Sequence, residues 1–320
     1  GSRRFLRTGC SKADDGGTCV KVSVGVMAYN EERNIARLLQ ALVDQKLSDA
    51  EITEIFVVSS GSTDRTDEIV REWETRDPRI RLIPQSSRRG KASAINLFLG
   101  EATGDVLVLE SGDTVPAPDC VERMVAPFND PSIGMTGGRP VPVDDESTFM
   151  GFVVHMLWRL HHKLALKHPK LGEMVAFRSF VSSIPEDTAV DEASIEAIVA
   201  QEGKRLAYVP DAIVHNKGAS NVRDFLRQRR RIYAGHLWLE TSESYQVSTK
   251  NVGGILDVLF EDLEWRPRSL AFTFGGVFLE FVGRLLGTYD YHVRGRNPYT
   301  WAVSESTKDL DELDGAKDPS

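Results

Sequence analysis

The sequence predicts an α/β fold, a doubly wound and mostly parallel sheet flanked by helices, with a helical extension behind it. Segments of strand character alternate with segments of helical periodicity from Lys21 to Leu109, the pattern of right-handed βαβ crossovers. Val106-Leu107-Val108-Leu109, bounded by Gly104 and Gly112, is a short apolar run of the kind buried in the middle of a parallel sheet covered on both faces. Such a sheet keeps its ligand site at the carboxyl ends of its strands, which puts Asp113 where a ligand would sit. Side chains alternate along a strand, so Ser111 and Asp113 share one direction and Glu110 takes the other.

Each element has its own signal. Residues 3–18 are basic, then polar and glycine-rich, without the apolar stretch of a signal peptide, and read as a poorly ordered lead-in. Residues 22–27 form a strand. Residues 30–43 form a helix, with Ile35, Leu38, Leu39 and Leu42 near helical spacing. A second strand over 52–58 runs into a Ser/Asp-rich loop and a helix reaching Trp73. A short strand over 80–83 and a helix over 91–99 complete the first half. Asn30 and Asp64 stand where caps are wanted. Further on, the glycine- and proline-rich residues 134–143 suggest a strand crossing into a second half, and residues 152–167 an amphipathic helix. Asp191 is placed to cap a helix over 193–201, and Asn221 one running to about Leu239.

Residues 270–286 are aromatic-rich but interrupted by Glu280 and Arg284. They fall short of the uninterrupted run of about 20 apolar residues that a bilayer span requires. Phe274, Phe278, Phe281 and Leu285 share one face, which fits a helix lying on a membrane or packed on the main domain or a second copy. The expected division is a lead-in over 1–20, the α/β domain over 21–245, the helical extension over 246–303 and a disordered acidic tail over 304–320.

Composition narrows the function. The chain is 41% hydrophobic and 27% charged, and its net charge of −8 argues against a nucleic-acid partner, whose phosphates are bound chiefly by Lys and Arg. The three cysteines have no metal-ligand spacing and are expected as free thiols in a reducing compartment. His155, His161, His162 and His168 are expected as ordinary histidines, because the adjacent pair cannot face one ion from a helix. No Gly-x-Gly-x-x-Gly follows the first strand, and Gly90-Lys91 lacks the earlier glycine of a phosphate-binding P-loop.

Three motifs then occur in order at strand ends: Met27-Ala28-Tyr29-Asn30-Glu31-Glu32, Ser59-Ser60-Gly61-Ser62-Thr63-Asp64-Arg65-Thr66 and Lys91-Ala92-Ser93-Ala94-Ile95-Asn96. Together with Asp191-Glu192 and Gln228-Arg229-Arg230-Arg231 they resemble the family-2 glycosyltransferases of the GT-A fold. The resemblance covers about residues 22–240. It implies an inverting hexosyltransferase that moves sugar from a UDP-sugar to a glycan or lipid-linked acceptor. A polyprenyl-phosphate glycosyltransferase and an inactive nucleotide- or glycan-binding relative are the alternatives. It also implies polysaccharide biosynthesis in the cytoplasm or at the inner face of the cell membrane, with peripheral membrane contact and homo-oligomers compatible with it.

Site residues follow from the same resemblance. Ala28, Tyr29, Glu31, Ser60, Asp64, Lys91 and Ser111 become donor contacts. Lys91, at a helix start after two arginines, also offers a cation and free N–H groups to a diphosphate on physical grounds alone. The family's Asp-x-Asp aligns as Ser111-Gly112-Asp113, so the divalent cation, Mg²⁺ or Mn²⁺, is left to Asp113 with phosphates and water, a weaker site that still works. Of Asp191 and Glu192 the second maps onto the family's general base, and adjacent helical residues diverge by about 100°, so only one of them serves. Gln228 and Arg231 lie on one helix face, the first toward the acceptor sugar and the second toward the departing diphosphate. Ile232 stands where the family's polymerising members carry a tryptophan, which removes a stacking surface for a sugar ring and argues against processive extension.

Overall fold

The computed structural model describes residues 19–188, 190–243, 258–259, 261 and 263–294. The expected lead-in and acidic tail lie outside them, apart from its last residues, Cys19 and Val20. The first half runs β1 (Val20–Ala28), α1 (Ile35–Val43), β2 (Ala50–Ser59), α2 (Thr66–Glu74), β3 (Ile80–Pro84), α3 (Lys91–Glu101) and β4 (Val106–Ser111). The second half continues through β5 (Thr114–Pro116), α4 (Cys120–Val125), β6 (Ile133–Pro142), α5 (Phe149–Lys167), β7 (Val175–Arg178), α6 (Asp191–Gln201), β8 (Arg205–Asn216), α7 (Val222–Glu243) and α8 (Pro267–His292).

One sheet has the order β3-β2-β1-β4-β7-β6-β8-β5. Its β3-β2-β1-β4 half is parallel throughout. Beyond β4 the pattern changes: β7 is antiparallel to both β4 and β6, β6 and β8 are parallel, and β5 is antiparallel to β8. The doubly wound reading therefore holds for the first half, and the whole sheet is mixed. The signal for the rest was weak because β7 is very short and Pro210 interrupts β8.

Strand alternation builds two cores. Val22, Val24 and Val26 of β1, Ile55 and Val57 of β2 and Val106 and Val108 of β4 face α1, α2 and α4. Phe56, Val58, Leu107 and Leu109 face α3 and α6 instead. Fully burying a side chain such as Leu38 or Phe98 stabilises by about 1.5–3 kcal/mol each. Gly25 is required by this packing, since a Cβ there would stand 2.6 Å from the Phe98 ring.

The extension forms α8, and its expected aromatic face is exposed: Phe274, Phe278, Phe281 and Leu285 keep 54–71% of their surface. The opposite face packs on α5 and α7 through small residues. A Cβ at Gly276 would meet Met156 and Val153, and one at Gly283 would meet Arg229 at 2.7 Å. Arg230 bonds the fully buried Asp290 across the α7–α8 seam, and Tyr291 donates to Thr241 at 2.8 Å. By length and composition α8 is also apolar enough to cross a membrane, although only 22% of its most apolar window is buried in the protein. Glu280 and Arg284, which interrupt the run, bond each other at 3.0 Å.

Two expectations on cysteines and caps are corrected. Cys19 is disulfide-bonded and Cys120 is a buried free thiol, so an odd count resolves into a bonded cysteine and a free one rather than three thiols. Asn30 does not cap α1, whose first turn follows Asn34. It sits instead in the left-handed region at φ 54°, which asparagine tolerates, and accepts from Thr63 N. Asn221 does cap α7, accepting from Asp224 N at 2.9 Å.

Candidate active site

The carboxyl ends of β1, β2 and β4, the start of α3 and the second-half helices enclose one cavity of about 790 Å³. Its wall carries Ala28, Tyr29, Glu31, Ser60, Lys91, Ser111, Asp113, Asp191, Glu192, Gln228 and Arg231. All the sequence-derived site residues meet there except Asp64. That carboxylate is spent within the loops, accepting from Glu32 N at 3.0 Å and from the Thr66 hydroxyl at 2.6 Å.

At the first-motif end the loops are held by one another. Ser60 N donates to Ala28 O, the Ser60 hydroxyl donates to Gln85, and Glu31 N donates to the Thr66 hydroxyl at 2.7 Å. The Arg88 guanidinium stacks over the Tyr29 ring at 4.5 Å, giving a flat cationic and aromatic wall. Gly112 lets the Ser111–Asp113 turn close on this loop, since a Cβ there would stand 2.8 Å from Glu31.

The centre of the cavity is a charge cluster. Lys91 Nζ bridges Asp191 at 2.7 Å and Glu192 at 3.0 Å. Asp191 does not cap α6: the helix begins at Asp191 itself, Val190 precedes it, and the carboxylate is engaged by Lys91. Both acidic residues therefore face the same ammonium despite their helical divergence, because the lysine sits between them. Burial opposes the charge on Lys91, but the two carboxylates outweigh it and raise its pKa. Burial and the neighbouring Glu192 charge raise Asp191, whereas for Glu192 the pull of Lys91 overcomes burial and lowers it. The pull of Lys91 on the pair is therefore felt most at Glu192.

Glu110 points away from the cavity, as strand parity requires. It is 1% exposed and bonded by the Thr114 hydroxyl, and burial raises its pKa to about 8. Glu173 had no sequence signal. It lines the cavity with φ at 57°, a conformation a glutamate seldom adopts, and burial with the nearby Asp113 charge raises it to about 7. Lys170, His161, His236 and Arg284 line the far end and were likewise not singled out as site residues.

Among the described residues no group of three or more His, Cys, Asp or Glu side chains is placed to hold a metal ion. A cation held by Asp113 together with phosphate oxygens and water asks for less, one or two carboxylates, and the residues fit that arrangement. Asp113 and Glu173 both line the cavity and offer carboxylate oxygens there.

The family model for glycosyl transferase family 2 matches residues 23–184, just over half of the chain, and that for glycosyl transferase family group 2 matches residues 106–289. The chain belongs to glycosyl transferase family 2. Among curated relatives, glycosyltransferase AglE of Haloferax volcanii is 30% identical over 37% of this chain and 38% of its own length. An N-acetylglucosaminyltransferase of Rhizobium meliloti is 25% identical over 66% of this chain and 54% of its own. The chain thus spans about half or less of the length of these relatives. Two solved structures share the fold. The mannosyltransferase PcManGT of Pyrobaculum calidifontis, in complex with GDP-Man and Mn²⁺, is 23% identical with a TM-score of 0.56, covering 88% of this chain and 82% of that one. Glucosyl-3-phosphoglycerate synthase of Mycobacterium tuberculosis, with Mn²⁺, UDP and its product, is 20% identical with a TM-score of 0.52, covering 77% and 88%. The GT-A architecture expected from the motifs is the one observed.

Proposed function

We propose that this family-2 protein transfers a sugar from a UDP-sugar to a hydroxyl of a glycan or lipid-linked acceptor, with inversion at the anomeric carbon. The observation that carries the reading is the single cavity that joins the three motif loops to Asp113 and to the Lys91–Asp191–Glu192 cluster. Ala28, Tyr29, Glu31 and Ser60 are assigned to the nucleoside and Ser111 to the donor beside Asp113. Lys91 and Arg231 are assigned to the diphosphate. A divalent cation at Asp113 would supply charge neutralisation of that diphosphate. Glu192 takes the proton of the acceptor hydroxyl as its oxygen bonds to the anomeric carbon, and the bond from that carbon to the phosphate oxygen breaks, releasing UDP. Gln228 orients the acceptor sugar. The exposed aromatic face of α8 is assigned to a peripheral membrane contact at the cytoplasmic side.

A thermal-shift panel of UDP and GDP, with and without Mn²⁺, tests the donor assignment. UDP should raise the melting temperature, Mn²⁺ should enlarge the shift, and Asp113→Ala should abolish the enlargement. Stabilisation by GDP but not by UDP would move the donor to the guanosine class, the class bound to the Pyrobaculum protein.

A further inference from the structure

Ser111 stands where a carboxylate is missing, and the strand beside it brings one. β7 runs antiparallel to β4 with Val175 across from Leu109. Two residues further along both chains, Glu173 comes level with Ser111. Residues opposite each other in an antiparallel pair send their side chains to the same face. Glu173 thus approaches Ser111 and Asp113 from the neighbouring strand, and all three line the cavity.

The backbone at Glu173 is held there against its own preference. Its φ of 57° lies in the left-handed region, and a conformation of this kind in a residue other than glycine persists only where its surroundings over-determine it, most often at functional sites. The charges of Asp113 and Glu192 act on Glu173, and Lys91, the cation that opposes them, is already bonded to Asp191 and Glu192. Asp113 and Glu173 therefore share one cavity without an ion pair of their own among the described residues. Two such carboxylates repel unless a proton or a cation joins them.

A third oxygen stands beside the pair and is independent of both. Asn216 ends β8 and pairs with Thr114, the residue after Asp113. It lines the cavity, is 5% exposed, and its side chain reaches Glu173. Its Oδ1 is nevertheless buried without a hydrogen-bond partner among the described residues. A buried carbonyl oxygen with nothing to accept from loses its hydration for no return, and a bound cation is one of the few things that restores it. Carboxylate and amide oxygens are the hard donors that Mg²⁺ and Mn²⁺ select.

We propose that Glu173 supplies the carboxylate that Ser111 lacks, so that a divalent cation is held by Asp113, Glu173 and Asn216 Oδ1 and not by one acidic motif. The ligands come from the end of β4, the approach to β7 and the end of β8. The proposal rests on the transferase reading, in which a cation beside the donor diphosphate is expected, and it changes what that cation needs. Two carboxylates and an amide oxygen hold Mn²⁺ before any nucleotide arrives.

A Mn²⁺ titration of the full chain without nucleotide, followed by the electron paramagnetic resonance signal of the free ion, tests it. The wild type should take up Mn²⁺ at a single site. Glu173→Gln, which keeps the shape of the side chain, should weaken uptake by about tenfold or more. Ser111→Asp added to Glu173→Gln should restore most of that loss, a gain that misfolding cannot imitate, and Asn216→Asp should bind Mn²⁺ more tightly than the wild type. The same affinity in Glu173→Gln as in the wild type, or no uptake by the wild type until UDP is added, overturns the proposal. So does a loss in Glu173→Gln that Ser111→Asp leaves unrepaired, and an Asn216→Asp chain no tighter than the wild type overturns the part of Asn216. The melting shift produced by UDP without metal reads the nucleoside loops alone, so failure of the donor assignment shows there and failure of the cation ligands shows in the titration without nucleotide.

Discussion

The two ends of the cavity solve the same problem in opposite ways. At the β1–β4 end the loops satisfy their own polar groups: Asn30 with Thr63, Ser60 with Gln85, Asp64 with Thr66 and Glu32. At the α5–α7–α8 end Arg229 Nε, Glu280 Oε2 and two imidazole nitrogens are buried without a hydrogen bond among the described residues. A preformed end needs no ligand to hold its shape, whereas an unmatched end is completed by what it binds. The comparison teaches that the first end is held by bonds between its own loops, while the second leaves polar atoms of α5, α7 and α8 without a bond among the described residues.

The largest expected effect separates the two carboxylates between these ends. Glu192→Gln should lower kcat by about 10²-fold or more, the usual loss for a general base, while the UDP-induced melting shift stays intact. Asp191→Asn should cost less activity, since that side chain serves through Lys91. Activity lost at Asp191 and kept at Glu192 would reverse the assignment.

A smaller effect distinguishes the ends by pH. Glu110 and Glu173 are raised to about 8 and about 7 from an ordinary 4.5, so the folded chain holds more protons than the unfolded one across that range. Stability contributed by them therefore falls as pH rises toward 8. His161 and His236, lowered from 6.5 to about 3 and about 4, act in the opposite sense, their contribution being lost as pH falls below 6.5. Lys170, lowered from 10.5 to about 8, adds stability as pH rises above 8. Denaturant melts should show a decline from pH 6.5 to 8 and a recovery above it. Glu110→Gln should flatten the decline and Lys170→Met the recovery; the same curve in both variants would mean that other groups set it.

The smallest effect concerns the exposed face. Phe278→Ser, at a residue 64% exposed, should change stability by no more than about 0.5 kcal/mol. Its co-sedimentation with anionic liposomes should nevertheless fall below that of the wild type. Equal, negligible sedimentation of both would remove the membrane contact.

How far the sequence reached follows the same division. The Val106–Leu109 run, the helical spacing of Ile35, Leu38, Leu39 and Leu42, and the motif loops are local patterns, and each element lies within a few residues of its expected place. Asp191 was read as a cap because sequence shows its position at a helix start and not the lysine, a hundred residues earlier, that engages it. Glu173 and Lys170 carry no periodic or motif signal, since their burial arises only when β7 pairs antiparallel with β4 and α8 closes over α7. Glu280 and Arg284 were visible as interruptions of an apolar run, and their meaning appears only once the run has a packed face and an open one.

In the proposed reaction Lys91 is the hinge of the chemistry. One ammonium holds both acidic side chains, and it also stands where the diphosphate of a donor is expected. Carboxylates and phosphates thus compete for a single cation. While the carboxylates hold it, Lys91 keeps the proton affinity of Glu192 low. Once a diphosphate draws the ammonium toward itself, the hold on Glu192 loosens and its affinity for a proton rises. Under the proposed roles of Lys91 and Glu192, binding of the sugar nucleotide ahead of the acceptor would release the base that the acceptor hydroxyl needs.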